Sequence, residues 1–165
     1  MAAYPGPKAL AKARRTDVQR IIRTIGLYRS KATNAVALAR MLVSRHGGRV
    51  PADLDALVDL PAVGRKTASC VMVYAFGEPA IAVDTHVHRI ANRLGWVKEG
   101  TPEKTERSLR RTLPLGHWMD VNRVMVQFGR DICIPGRPKC WKCPVARWCG
   151  FPTKTPKPES ERVRK

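Results

Sequence analysis

Apolar residues recur three and four positions apart along most of the chain, the spacing of helices that bury one face. The clearest case is a segment over residues 30–46, whose apolar face comprises Ala35, Leu38, Ala39, Leu42 and Val43. Gly47 and Gly48 then end it, as glycine often ends a helix. No stretch alternates apolar and polar residues over a useful strand length. The pattern therefore predicts an all-α fold, with helices joined by short turns.

The same spacing predicts six further helices, each bounded by a capping residue, a proline or a glycine. They cover residues 17–25, 51–60, 65–76, 85–94, 102–112 and 118–128. The first is expected to bury Val18, Ile21, Ile22 and Ile25. Asp84 or Thr85 is the expected cap of the helix that ends at Leu94.

Composition divides the chain into four parts. Residues 1–15 form a basic N-terminal segment, and residues 16–130 form the helical domain. Residues 131–150, called the cysteine loop below, contain four of the five cysteines. Residues 151–165 are rich in Pro, Lys, Arg and Glu, which predicts a disordered tail.

The chain carries a large excess of positive charge. It has 31 Lys and Arg against 13 Asp and Glu, a formal net charge of +18 in 165 residues. Such a surplus favours a polyanionic partner, and nucleic acid is preferred over membrane because no apolar run is long enough to span a bilayer. The first residues also lack the apolar centre of a signal peptide. We expect a monomer in the cytoplasm, associated with the chromosome.

Two predicted helices meet at Pro61-Ala62-Val63-Gly64 and form a helical hairpin over about residues 51–76. The start of a helix leaves backbone N–H groups unpaired at the positive end of the dipole, where a DNA phosphate can bind. Taken alone, the turn is explained at least as well by an ordinary connection between helices.

Lys66 and Asp84 are the candidate catalytic residues. Lys66 lies in the first turn of its helix beside Arg65, where positive charge disfavours the ammonium form, and a neutral lysine is a nucleophile. Taken alone, Lys66 is better explained as an exposed lysine that binds phosphate as a point charge. Asp84 follows the apolar run Ile81-Ala82-Val83 and is expected to act as a helix cap, as an acid, or as both.

The spacing of the cysteine loop is Cys133-x6-Cys140-x2-Cys143-x5-Cys149. Four thiolates in one loop can hold zinc or an iron–sulfur cluster. Zinc ribbons usually have two Cys-x-x-Cys pairs, whereas this loop has one. Basic residues lie between the thiols, among them Arg137 and Lys139, as in a loop that faces DNA. The spacing alone leaves both metals open.

Three stretches in this order resemble the endonuclease III family, the helix–hairpin–helix DNA glycosylases with a 4Fe–4S cluster. They are Leu60-Pro61-Ala62-Val63-Gly64-Arg65-Lys66-Thr67-Ala68, Val83-Asp84-Thr85-His86 and the cysteine loop. Thr24-Ile25-Gly26-Leu27-Tyr28 also fits, so the resemblance extends from about residue 20 to residue 149. It implies a helix–hairpin–helix DNA glycosylase bundle with a C-terminal cluster loop.

The resemblance implies a repair enzyme that acts on double-stranded DNA with damaged bases or abasic sites. Lys66 matches the lysine that attacks sugar C1′, displaces an oxidised pyrimidine and forms a Schiff base, from which β-elimination nicks the strand. Asp84 matches the aspartate that assists this attack. Leu27 matches a residue that wedges into the duplex, and Ala62, Val63, Gly64 and Arg65 match the phosphate-binding turn. Cys133, Cys140, Cys143 and Cys149 match the ligands of the 4Fe–4S cluster.

The sequence departs from the family in two places. Ala62 stands where the family usually has glycine, and a positive φ there costs alanine about 1 kcal/mol. The family's first helices also have no counterpart, which predicts exposed apolar surface on the helical bundle and beside the cluster loop. Two other functions compete with the enzyme: a non-catalytic DNA-binding fragment of the same family and a zinc-stabilised interaction module.

Overall fold

The computed structural model describes residues 3–159, and the regular elements in that range are all helical. The α-helices are α1 (Pro7–Ala11), α2 (Arg15–Ile21), α3 (Tyr28–His46), α4 (Leu54–Val58), α5 (Arg65–Val71), α6 (Thr85–Leu94), α7 (Pro102–Thr112) and α8 (Trp118–Asp131). Short 3₁₀ turns cover Leu115–His117, Cys140–Lys142 and Ala146–Trp148. The predicted all-α class is confirmed.

The chain divides into two compact units, Met1–Ala68 and Ser69–Lys165. This differs from the single helical domain expected over residues 16–130, because the division falls within α5. The apolar periodicity of that helix is unbroken, so no local pattern marks the division.

The first unit is organised around α3, against which α1 and α2 both pack. Its core comprises Ala13, Val18, Ala32 and Val36, with Tyr4, Leu10 and Ile22 packed against them. The Arg40 guanidinium donates a hydrogen bond from Nε to the Ala11 carbonyl at 3.0 Å, which fastens the end of α1 to α3. Small residues on α3 allow this close helix packing.

Two of the residues expected in this core are instead exposed. Ile21 is 57% exposed and Ile25 is 44% exposed, so their predicted burial is wrong, whereas Val18 is buried as expected. Ile21 and Ile22 line an open apolar groove with Leu10, Tyr4 and other residues. The apolar surface expected on the bundle is therefore present. Periodicity identified the apolar side of α2, but within the described part of the chain nothing covers all of it.

The second unit is organised around α6, which packs between α7 and α8. Its core comprises Ile81, Val83, Val87, Ile90, Ala91, Val97, Leu109, Val121 and Met125. Asn122 donates a hydrogen bond from Nδ2 to the Ala82 carbonyl at 2.9 Å, which fixes the extended segment before α6 against α8. That segment delivers Asp84 to the start of α6.

The helix predicted over residues 65–76 has the expected extent but changes character along its length. It begins as α5 and continues as a π-helical turn over Met72–Phe76, which Gly77 ends with φ 70°. Such widened turns occur often near functional sites. Among residues 3–159, no helix combines the length and apolar character needed to cross a membrane.

Candidate active site and metal centre

The hairpin turn between α4 and α5 is held by local hydrogen bonds. Asp53 caps α4, accepting a hydrogen bond from the Ala56 amide at 2.8 Å on Oδ1. The Val63 amide donates to the Leu60 carbonyl at 3.1 Å. Between them Ala62 has φ 62°, the left-handed conformation in which alanine is strained. The positive φ expected at this position is therefore present.

The start of α5 presents Lys66 to solvent. The Ala68 amide donates a hydrogen bond to the Gly64 carbonyl at 3.0 Å. The amides of Lys66 and Thr67 come before Ala68 in the sequence and belong to the first turn of α5. Amides in a first turn lack intrahelical acceptors and suit an anion. The Lys66 side chain is exposed, as is Gly64, whereas Arg65 and Val63 are partly buried. A nucleophilic amine and an anion-binding backbone thus lie in the same helical turn.

Asp84 is the N-cap of α6. Its Oδ1 accepts hydrogen bonds from the His86 and Val87 amides, both at 2.9 Å. Both bonds go to the same oxygen, so within residues 3–159 Oδ2 remains available for another donor. The side chain is partly buried. The geometry therefore establishes the capping role and leaves room for an acidic role beside it.

The two histidines that follow Asp84 contact protein groups. His86 Nδ1 lies 3.2 Å from Arg89 Nη2, and His88 Nδ1 lies 2.8 Å from Thr105 Oγ1 on α7. Gly129 of α8 makes the position of His86 possible, because a Cβ there would lie 2.5 Å from its Nδ1. These contacts are those of packed helix-face residues.

Leu27 precedes α3 with φ 59° and is 78% exposed. A β-carbon is unfavourable in this left-handed conformation, and the large apolar side chain gains nothing from solvent. With Ala62 it is one of two non-glycine residues with positive φ among residues 3–159. Strain of this kind is typical of functional positions.

Four cysteines of the cysteine loop line one cavity, together with apolar residues of α6, α8 and the loop. Burial raises the pKa of the Cys143 thiol, and the neighbouring Cys149, Cys140 and Cys133 add to this increase. The sequence therefore brings its four predicted metal ligands to a common place. Among residues 3–159, no three metal-binding side chains converge closely enough to hold a single ion. The all-sulfur donor set fits an iron–sulfur cluster, whose irons take separate thiolates.

The basic residues predicted in the cysteine loop differ in exposure. Arg137 is exposed and Lys139 is partly buried. Phe151 and Thr155 also contact this region: the Arg93 guanidinium lies 4.7 Å from the Phe151 ring, and Thr155 Oγ1 donates to the Pro138 carbonyl. Both contacts differ from the disordered tail predicted to begin at residue 151. Residues 160–165 lie outside the described range.

Sequence reasoning missed two arginines of α6 that contact the cysteine loop. Arg89 donates to the Cys133 carbonyl from Nη2 at 2.9 Å and from Nε at 3.2 Å. Burial lowers the pKa of Arg89 from its ordinary value. Arg93, one turn further along, donates to the Cys133 sulfur at 3.3 Å. Their i, i+4 spacing predicts a shared helix face, which was the available signal.

Comparison with known proteins places this chain in one class. A family model described as HhH-GPD superfamily base excision DNA repair protein matches residues 1–115. Endonuclease III of Thermotoga maritima is 51% identical over 148 residues, which are 90% of this chain and 70% of that protein. Endonuclease III of Bacillus subtilis is 42% identical over 147 residues, which are 88% of this chain and 67% of that protein.

Solved structures agree with these relatives. The structure of a trapped endonuclease III–DNA covalent intermediate matches with a TM-score of 0.83 and 40% identity, covering 89% of this chain and 70% of that chain. The chain belongs to the endonuclease III family of the HhH-GPD superfamily. The predicted fold and the predicted class of base-excision DNA glycosylase with AP lyase activity are thereby confirmed.

The strain at Ala62 predicts that Ala62→Gly stabilises the protein. Glycine removes a cost of about 1–2 kcal/mol for a left-handed residue and adds about 0.4–1 kcal/mol of unfolded-chain entropy. We expect the free energy of unfolding to rise by about 0.5–1 kcal/mol, measured by denaturant titration. Ala37→Gly within α3 is the matched control and should lower it by about 1 kcal/mol. Equal losses in both variants would show that Ala62 is unstrained.

Proposed function

We propose that this chain removes oxidised pyrimidines from double-stranded DNA and then cleaves the strand through a Schiff base on Lys66. The observation that carries the proposal is the first turn of α5, where an exposed Lys66 follows a strained hairpin turn. Family membership supplies the reaction class. The assignment to Lys66 rests on its match to the family's catalytic lysine.

The hairpin turn would bind the DNA backbone. A Cβ added at Gly64 would meet no atom within 4 Å, so a phosphate has room to approach this backbone closely. The amides of the first turn of α5 would then bind the phosphate without reading the base sequence. Arg65 adds positive charge there, and Arg137 and Lys139 would provide further phosphate contacts from the cysteine loop.

Lys66 would act as the nucleophile. Its Nζ attacks sugar C1′, the C1′–N bond to the damaged base breaks, and the base leaves with the bonding electrons. Transfer of one proton from that nitrogen to the ring oxygen O4′, as the C1′–O4′ bond breaks and the sugar ring opens, gives a protonated Schiff base. That cation acidifies the C2′ proton, whose removal expels the 3′ phosphate and nicks the strand.

Asp84 would assist this attack by receiving protons and stabilising the positive charge that develops on the sugar. Its Oδ1 is occupied by two backbone amides, which hold the carboxylate in one orientation. The cap thus orients the acid, and no additional side chain is needed to position it.

Leu27 would enter the duplex when the target nucleotide leaves the stack. The sugar carbon and the base are inaccessible inside the stack, so flipping must precede the chemistry. An exposed apolar side chain suits this purpose, because stacking among bases buries it. A strained backbone holds it in that position before DNA arrives.

Cys133, Cys140, Cys143 and Cys149 would hold a 4Fe–4S cluster. The cluster would supply a structural core for a loop whose regular structure is limited to two 3₁₀ turns among its described residues. Its thiolate ligands would replace the hydrophobic packing that so short a loop cannot provide. We place the enzyme at the chromosome as a monomer, with DNA as its partner.

Borohydride trapping tests the role of Lys66. The protein is mixed with a duplex that contains one oxidised thymine or one abasic site, reduced, and examined on a denaturing gel. We expect a covalent complex that Lys66→Ala abolishes while duplex binding persists. Lys104→Ala is the matched control, since Lys104 is an exposed lysine in the first turn of α7.

A trapped complex in Lys66→Ala would show that an amine other than Lys66 is the nucleophile. Failure of the unchanged protein to be trapped, while it still binds DNA, would favour a non-catalytic DNA-binding fragment. Trapping of the abasic site without removal of oxidised thymine would confine the activity to the lyase step.

Asp84→Asn separates the acid from the cap. Asparagine caps helices about as well as aspartate, so the free energy of unfolding should change by less than about 0.5 kcal/mol. Without the carboxylate, single-turnover base removal should slow by about 10²-fold or more. Asp84→Ala loses both functions and should also destabilise the fold by about 1 kcal/mol. Full activity in Asp84→Asn would assign Asp84 to capping alone.

Metal analysis of the purified protein tests the cluster. We expect iron and acid-labile sulfide in equal amounts, about four of each per chain as the cluster type requires. Visible absorbance should disappear with the iron when the cluster is removed. Zinc without iron or sulfide would instead support the zinc-stabilised module.

A further inference from the structure

The last turn of α6 faces the cysteine cavity with the negative end of the helix dipole, which is unfavourable for an anionic metal centre. The Cys149 sulfur lies 3.2 Å from the Arg93 carbonyl oxygen. The Gly150 amide donates to the Leu94 carbonyl at 3.4 Å. The C-terminal end of a helix carries partial negative charge, which disfavours nearby thiolates and any further negative charge on a metal centre.

The positive charge of the Arg93 side chain compensates for the partial negative charge at this end of α6. Its Nη1 donates to the Cys133 sulfur at 3.3 Å and to the Ile134 carbonyl at 2.8 Å. Its Nη2 donates to the Pro135 carbonyl. One guanidinium from the last turn of α6 thus binds three consecutive residues at the start of the metal-binding sequence, one of them through its sulfur.

The surroundings of Arg93 strengthen this interaction. The residue is partly buried, and the Phe151 ring lies under the guanidinium at 4.7 Å. Reduced contact with water strengthens a charge-assisted hydrogen bond, and the aromatic ring adds a cation–π attraction. The planar guanidinium holds its N–H donors in a fixed geometry that reaches all three acceptors. A lysine ammonium on a flexible stem would reach them less well.

Arg89 makes a useful contrast. It also reaches Cys133 from α6, but its hydrogen bonds go to the Cys133 and Gly129 carbonyls and to the Thr85 carbonyl. Arg89 therefore fastens mainly the backbone of the loop to α6 and also interacts with the Cys133 side chain, whereas Arg93 donates a hydrogen bond to that sulfur at 3.3 Å.

We propose that Arg93 is a positioning residue of the cysteine centre that offsets the negative end of α6, retains the iron–sulfur cluster and raises its reduction potential. The inference rests on the cluster proposed above. Reduction adds one electron to a cluster already bound by four thiolates, and a cation hydrogen-bonded to one of those sulfurs stabilises the added charge. The hydrogen bond also holds the Cys133 thiolate in place as a ligand.

The experiment compares three variants of the full chain with the unchanged protein. Arg93→Met removes the charge and the hydrogen bonds with similar volume. Arg93→Lys keeps the charge and loses the planar donors. Arg123→Met is the control, since it removes an exposed arginine of α8 that pairs with Asp120. For each protein we would measure iron and sulfide content, the rate of iron loss to a chelator and the cluster midpoint potential.

We expect Arg93→Met to bind its cluster roughly 10- to 100-fold less tightly, with faster iron loss and a more negative midpoint potential. Arg93→Lys should lie between it and the unchanged protein. Arg123→Met should match the unchanged protein in both measurements. Circular dichroism establishes that each variant is folded, and Arg93→Lys decides the question if Arg93→Met does not fold.

Two failures are distinguishable. If the unchanged protein contains no iron and sulfide, the cluster assignment fails, and this inference fails with it. If it contains the cluster and neither Arg93 variant alters the potential or the rate of iron loss, the inference is overturned while the proposed function stands. Equal effects in Arg123→Met would reduce the role of Arg93 to general surface charge and would also overturn it.

Discussion

The second unit depends on how α6 begins. The carboxylate of Asp84 accepts two backbone amides on one oxygen, which ends the extended segment and starts the helix at a defined residue. From that start, Val87, Ile90 and Ala91 enter the core at helical spacing. Loss of the cap would cost about 1 kcal/mol and would blur the register of these residues. One hydrogen-bonding group therefore fixes both a core helix and the orientation of the proposed acid.

The cysteine loop depends on the same helix for its position. Its described regular structure consists of short 3₁₀ turns, and such turns provide few internal contacts. Arg89 and Arg93, one turn apart on α6, supply hydrogen bonds to its first residues. The helix thus holds the proposed acid at one end and the thiol centre near the other. A structural change in the cysteine loop would therefore act on α6 directly, through the hydrogen bonds of Arg89 and Arg93.

Periodicity and capping predicted more of the fold than of its contacts. The predicted limits of α6 and α7 agree with the observed ones, because capping residues such as Asp84 and the apolar spacing mark them in the sequence. The predicted burial of Ile21 was wrong, because an apolar face shows which residues a helix can bury and does not show which residues cover them. The partners of Arg93 were also hidden, since they lie 40 and 41 residues further along the chain. Local sequence signals predict the secondary-structure elements, whereas the tertiary contacts are known only from the folded structure.

Leu27 and Ala62 show how much a strained backbone can contribute to this assignment. Both adopt the left-handed conformation without being glycine, at a cost of about 1–2 kcal/mol each. Simple selection for stability would place glycine at both. Leu27 cannot be replaced in this way if its side chain must enter the duplex, whereas Ala62 has a small exposed side chain with no such task. The strain at Leu27 therefore supports a role for its side chain, and the strain at Ala62 supports only a required backbone conformation.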